Sequence, residues 1–308
     1  MKKITIGGEV PASEIALGFW RLAEMSVADA SRLVKTALDE GIDFFDHADV
    51  YGAGKSETMF AKAAGFTPSR REKVVLQSKC GIRLEDGTYF DFSRDHIVSA
   101  AEAILRRLDT EYLDILLLHR PDALVEPEEV AEAFATLHAA GKVRYFGVSN
   151  QRPNQMELLR KCCNHKIVAN QLQFSITNSG MVDSGLATNM EFAQSVNHDG
   201  DVLDYCRLHN ITIQAWSPFQ YGDFKGSFLG NRELYPGLND VIDKLAREKG
   251  VTNTAIAAAW ILRHPARIQV IVGTSKPQRV KDACAASGIE LTRPEWYALW
   301  KAAGNTLP

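Results

Sequence analysis

The stretch SVADASRLVKTALDEGIDFFD, Ser26 to Asp46, contains one full unit of the pattern that decides the fold. Ser26, with Asp29 three residues on, has the spacing of a helix N-terminal capping box. Val27, Ala30, Val34, Ala37 and Leu38 then fall near one helical face, and Gly41 stops the helix. Ile42-Asp43-Phe44-Phe45-Asp46 follows as a strand.

The unit recurs in both directions along the chain. Ile15-Ala16-Leu17 precedes it, and six apolar runs follow: Lys73–Lys79, Tyr112–His119, Val143–Ser149, Ile167–Asn170, Ile211–Ala215 and Ile268–Val272. Helical patterns separate them, one through Ile97, Ala101, Ile104 and Leu108, another from Pro127 through Val130, Ala133, Phe134 and Leu137. Near-continuous apolar strands alternating with helices imply a parallel sheet covered on both faces. Eight such units in 308 residues predict an α/β fold, a closed (β/α)8 TIM barrel in a single domain spanning residues 1–308. An open doubly wound sheet is the runner-up.

Two stretches break the repeat. Ser175–Gly200 is rich in Asn, Ser, Gly and Asp, and Gln220–Gly237 is rich in Gly and aromatics. Both follow strands, so a barrel places them over its C-terminal rim, where long connections serve as binding loops. A plain surface insertion is the alternative.

The chain is 45% hydrophobic and 24% charged with a net charge of −3, which gives no electrostatic reason to expect a nucleic-acid or membrane partner. Its five cysteines are odd in number and lack metal-ligand spacing, so they read as reduced thiols with no metal site. No signal peptide and no apolar run approaching about 18 residues is visible, and a cytoplasmic protein is expected, as a monomer.

Chemistry-bearing residues gather at strand ends. Asp46 ends one strand and Tyr51 follows it, Lys79 ends the next, and His119 ends the one after. Taken singly, a strand-end lysine is a rim charge and a lone histidine a satisfied neighbour of the core. Taken together they converge on one mouth of a barrel. The set suits proton-coupled hydride transfer to a carbonyl. A phenol, a poor acid at neutral pH, has its pKa lowered by a nearby ammonium, a carboxylate holds that ammonium, and a neutral imidazole polarises the substrate oxygen.

Phe45-Asp46-His47-Ala48-Asp49-Val50-Tyr51-Gly52, with Ser56-Glu57 after it, resembles the active-site signature of the aldo-keto reductase superfamily. Tyr112–His119 resembles the second signature, and the likeness continues through Gly147-Val148-Ser149-Asn150, Asn170-Gln171, Ala215-Trp216-Ser217-Pro218 and Gly273-Thr274-Ser275-Lys276-Pro277. The resemblance implies a TIM barrel, a reversible reduction of aldehydes or ketones, and the tetrad Asp46, Tyr51, Lys79 and His119 with Tyr51 as general acid. It also implies NADPH/NADP+ as cofactor. Ser149, Asn150 and Gln171 would bind the nicotinamide carboxamide, Trp216 would stack on the ring, and Ser217 would approach the pyrophosphate. Gly273, Thr274, Ser275, Lys276 and Arg279 would lie at the adenosine 2′-phosphate, for which the charge of Lys and the fork of Arg suit NADPH over NADH.

Gly52-Ala53-Gly54-Lys55-Ser56 is no phosphate loop, since Asp49 and Glu57 stand where the two glycine-rich motifs need glycine. His47, Gly273 and Asp282-Ala283 depart from the residues common in the family. Trp20 is expected to line the substrate pocket, with Tyr89 or Phe90 as further candidates, and apolar walls favour small carbonyl or alcohol substrates without strong charge selection. Two other readings compete: a Schiff-base aldolase using Lys79, and a cofactor-sensing regulatory subunit.

Overall fold

A computed structural model describes residues 1–308 except Asp86 and Phe192. Its centre is a closed barrel of eight strands: β1 Ile15–Gly18, β2 Phe44–Asp46, β3 Val75–Cys80, β4 Leu113–Leu118, β5 Val143–Ser149, β6 Ile167–Gln173, β7 Thr212–Trp216 and β8 Gln269–Val272. Each strand pairs in parallel with its sequence neighbours, and β8 pairs with β1 to close the ring. All eight expected strands are present, with ends shifted by a few residues. The doubly wound alternative is thereby excluded.

The helices form as the pattern requires. Ser26 Oγ accepts the Asp29 amide at 3.1 Å and starts helix Val27–Asp39, whose buried Ala30, Leu33, Val34 and Ala37 face the sheet. Gly41 follows it with a φ of 84°, a conformation only glycine adopts freely. Pro127 occupies the first turn of helix Pro127–Ala139, where its missing N–H has no helical partner to lose.

Apolar side chains divide into two bodies. The larger lies between the barrel and its helices, with Leu116, Leu118, Phe134, Phe146 and Trp260 among its members. The smaller fills the barrel, where Ala16, Phe44, Val75, Ile115, Leu117, Ala169 and Ile271 meet. An antiparallel hairpin, Lys3–Ile6 with Val10–Ser13, joins that inner body through Ile6, Val10 and Ala12 and stoppers the N-terminal end of the barrel. Gly7 makes its turn with φ of 60°, and a Cβ there would stand 2.5 Å from Val168.

With one end plugged, the opposite end is left as the mouth. The five cysteines form no disulfide, and Cys80, Cys163, Cys206 and Cys284 are buried. Among the described residues, no helix is long and apolar enough to cross a membrane.

Candidate active site

Asp46 is the last residue of β2, and the chain stays tied to β3 beyond it: His47 N donates to Gln77 O and Asp49 N to Lys79 O, at 2.9 and 3.1 Å. This turns Tyr51 over the mouth. Gly52 follows with φ of 57°, so close to Ala23 that a Cβ would approach its methyl to 2.7 Å, and helix Lys55–Ala64 begins.

Lys79, on β3, is fully buried. Its ammonium donates to Asp46 Oδ2 at 2.8 Å, to His47 O at 2.7 Å and to Tyr51 Oη at 3.2 Å. All three donors are therefore used. Burial opposes the charge on Lys79 more than any other single influence, yet Asp46 and Tyr51 together hold its pKa above the usual lysine value. Removing one partner of such a pair strands the other, at a cost of about 3–5 kcal/mol.

Tyr51 departs from expectation. Lys79 does favour the phenolate, but burial acts more strongly and raises the phenol above its ordinary pKa, with Asp46 adding to the rise. The hydroxyl keeps its proton through neutral pH. His119 stands edge-on to the Tyr51 ring, centroids 6.0 Å apart, and burial next to Lys79 and Arg120 drives its pKa well below the usual value. It is a neutral imidazole at pH 7. Its Nδ1 is buried without a partner among the described residues.

Asp46 is held from below by amides. Gln77 and Gln171 both donate to its Oδ1, at 2.7 and 3.0 Å. Gln214 accepts from the same two side chains and donates to Gln77 and to Gln269, which in turn donates to Ser13 O at 2.8 Å. This row of buried amides runs from the mouth to the plug through the middle of the barrel. Sequence reasoning missed it, although Gln77, Gln214 and Gln269 each interrupt an apolar run.

Behind the Tyr51 turn lies a less balanced cluster. Glu57 binds Ser78 Oγ and Arg107 Nε, both at 2.6 Å, so the one guanidinium is taken. Asp49 is left with an unpartnered Oδ1, and burial together with the Glu57 charge pushes its pKa up to about 7. His47 stacks on Phe19 at 4.8 Å, and neither ring nitrogen has a hydrogen-bond partner among the described residues.

A cavity of about 580 Å³ opens above these groups, within the range of small-molecule sites. Asp46, Tyr51, His119, Ser149, Asn150, Gln171, Trp216, Ser217, Gly273, Thr274, Ser275, Arg279 and Trp20 all line it. Lys79 sits behind the wall. Lys276 does not line it and instead stands at the N-cap position of helix Pro277–Cys284, with its side chain exposed and making no capping hydrogen bond. Tyr89 and Phe90 are also off the wall; they form a small exposed hairpin with Ile82–Arg83, where Tyr89 meets the Arg83 guanidinium.

The wall is ordered by its own hydrogen bonds. Asn150, at φ of 58°, accepts from Trp216 Nε1 at 3.1 Å and donates to Ser149 Oγ at 2.7 Å, while Ser149 donates to Gln171 O at 3.0 Å. Phe224 stacks on Trp216 and tilts against Trp20, with centroid distances of 5.5 and 5.2 Å. Arg120, immediately after His119, completes this side of the cavity. Neither Phe224 nor Arg120 was singled out from sequence, though Arg120 directly follows a residue that was.

A buried carboxylate–ammonium–phenol array with a neutral imidazole beside it can deliver one proton to an oxygen in the cavity. Comparison with known proteins bears on the family. The aldo/keto reductase family model matches residues 14–303. Over 313 residues the chain is 34% identical to the uncharacterized oxidoreductase YcsN of Bacillus subtilis, covering 98% of both. It is 32% identical to the 6-dehydroglucose reductase of Agrobacterium fabrum, again over 98% of both. An aldo-keto reductase from Klebsiella pneumoniae, solved in complex with NADPH, matches with a TM-score of 0.79 at 26% identity, covering 99% of this chain and 97% of that one. Barrel, mouth and sequence lead to one conclusion: the chain belongs to the aldo/keto reductase family of oxidoreductases.

Proposed function

We propose that this enzyme, as one barrel domain, reduces aldehydes or ketones to alcohols, reversibly, with NADPH as cofactor and Tyr51 as general acid. The observation that carries the reading is the Lys79 ammonium, whose three hydrogen bonds join Asp46, the His47 carbonyl and the Tyr51 hydroxyl at the cavity floor.

The residues present fit the cofactor. Gln171 spends its amide hydrogens on Asp46 and Gln214, which leaves its Oε1 for the carboxamide N–H of a nicotinamide. Asn150 has one amide hydrogen on Ser149 and the other at 3.5 Å from His119 O, long enough to be given up. Arg279 lines the far end, with neither an ion pair nor a side-chain hydrogen bond among the described residues, beside Thr274 and Ser275. That is a fitting partner for a 2′-phosphate. The Klebsiella pneumoniae relative solved with NADPH supports the choice of cofactor. When bound, the dihydronicotinamide supplies the hydride.

The protein's own groups manage the oxygen. A carbonyl oxygen seated between the Tyr51 hydroxyl and His119 accepts a hydrogen bond from each. The neutral imidazole donates without giving up a proton, and Tyr51 transfers its proton as negative charge develops on the oxygen. Lys79 then solvates the phenolate, and Asp46 holds Lys79 in place. The aldolase reading fares poorly, because a Schiff-base lysine must attack as the free amine and Lys79 is held charged with every donor engaged.

The test is titration of the purified protein with NADPH and NADH, followed by NADPH oxidation with a panel of aldehydes and ketones. Tyr51→Phe is expected to bind NADPH as wild type does and to lose about 10²–10⁴-fold in kcat. Equal turnover by the variant removes Tyr51 from the reaction, and failure of wild type to bind either nucleotide removes the reading altogether.

A further inference from the structure

Arg120 stands apart from the other inward-facing arginines. Arg71 is paired with Asp114 and two backbone carbonyls, and Arg107 with Glu57. Arg120 is half-buried on the cavity wall, and among the described residues it has neither an ion pair nor a hydrogen bond. Its guanidinium carbon lies 5.5 Å from the Trp216 ring centre, on the side of the cavity shared by Tyr51 and His119. Burial pulls its pKa below the usual arginine value, a sign of lost hydration. The charge of Asp223 draws on it, but that side chain sits on the exposed loop and makes no ion pair with it.

The charges around the cavity point the same way. The ionisable groups on the wall that carry charge are Arg21, Arg120, Arg279 and Asp46, and Asp46 is already neutralised by Lys79. Arg279 lies at the end assigned to the cofactor. Arg21, over the Trp20 ring at 5.5 Å, and Arg120 are left on the remaining wall, and among the described residues neither forms an ion pair. A partly desolvated, unpaired guanidinium is costly, and its planar fork matches a carboxylate or phosphate in two parallel hydrogen bonds. An apolar group would cover Arg120 without replacing the water it displaces, and a neutral acceptor would replace the water but not the missing charge.

We propose that Arg120 selects carbonyl substrates that carry an oxyanion, a carboxylate or a phosphate, close to the reacting carbon. This rests on the reductase reading above and runs against the expectation of a pocket without charge selection. Arg120 binds the oxyanion while Tyr51 and His119 hold the carbonyl oxygen, so the two contacts fix the substrate at both ends.

The experiment measures kcat/KM for NADPH-dependent reduction of matched pairs: succinic semialdehyde against butanal, and glyceraldehyde 3-phosphate against glyceraldehyde. Wild type is expected to favour the anionic member of at least one pair by about 10-fold or more, mainly through KM, with the preference shrinking as salt rises. The carboxylate and phosphate pairs tell the two sources of oxyanion apart. Arg120→Met should reduce the anionic-to-neutral ratio by about 10- to 100-fold, and Arg120→Lys should keep part of it. Asp223→Asn should preserve or increase the ratio. An unchanged ratio in Arg120→Met, or glyceraldehyde outperforming its phosphate and butanal outperforming succinic semialdehyde in wild type, overturns the proposal while leaving the reductase reading intact. Loss of turnover on every substrate in Asp223→Asn would make Arg120 a loop latch and also overturn it. No NADPH oxidation with any member takes down both readings.

Discussion

The connection after β6 and the connection after β7 leave the same rim of the barrel from neighbouring strands, and they go to different tasks. The described residues of 175–200 fold away from the mouth. Helix Gly180–Leu186 buries Met181 and Val182, Asp183 accepts the Trp300 indole N–H at 2.7 Å, and Gln194 exchanges two hydrogen bonds with the Thr306 backbone. None of the described residues in this stretch lines the cavity.

Residues 217–229 fold over the mouth. Their short hairpin, Gln220–Tyr221 with Gly226–Ser227, presents Phe224 at its tip between Trp20 and Trp216. Asn239 anchors the base through the carbonyls of Phe228, Asn231 and Tyr235. The first loop also braces the second, since Ser175 Oγ donates to Gln220 O at 3.0 Å. A place on the active rim is therefore not enough to make a binding loop. What the loop packs against decides, and here one loop stabilises the barrel while the other shapes the cavity.

The sharpest way to break this division is Trp300→Ala. Loss of a buried tryptophan is expected to cost about 3–5 kcal/mol of unfolding free energy. Denaturant unfolding reads that loss, while kcat/KM of the folded enzyme should change by less than about twofold. A collapse of kcat/KM at preserved stability would place the first loop in the site after all. The converse is Phe224→Ala, which removes aromatic contacts worth about 0.5–1.5 kcal/mol and should raise the NADPH Kd or substrate KM by about 2- to 10-fold. Its melting temperature should match wild type, and a marked drop would mean that Phe224 serves the fold.

The smallest effect is one of pH. Burial raises the Asp183 pKa, although the hydrogen bonds from Trp300 and Ser179 work against the rise. The folded state then holds this proton at pH values where the unfolded chain has released it. The resulting stabilisation is fully present below about pH 4 and is lost as pH rises through the folded pKa. Asp183→Asn should flatten that slope and gain on wild type towards neutral pH in a pH series of denaturant melts. Parallel curves for the two proteins would show that Asp183 ionises as freely in the fold as in the unfolded chain.

The barrel was legible because eight apolar runs alternate with amphipathic helices, a signal local to each unit. The site was legible where chemistry sits at strand ends, as with Asp46, Lys79 and His119. What escaped depends on distance in the chain. The fate of residues 175–200 is settled by Trp300, more than 100 positions away, whereas the aromatic content of the second loop was a local clue. Arg120 was passed over because its meaning lies in the partners it lacks, which only the packed cavity reveals. The direction of the Tyr51 pKa failed for a related reason: sequence shows the neighbouring ammonium but not the burial that outweighs it.

The glutamine row through the barrel bears on how the molecule comes together. Gln77 meets Gln214 across 137 residues, and Gln269 reaches the Ser13 carbonyl across 256. No single pairing of adjacent strands satisfies these amides, because the chain of donors and acceptors joins β2, β3, β6, β7, β8 and the plug. In an open sheet these amides face water, and any that a misassembled barrel buries unpaired costs about 1–3 kcal/mol. The row is complete only in the closed ring, so its hydrogen bonds reward closure of the whole barrel and not the pairing of any two strands.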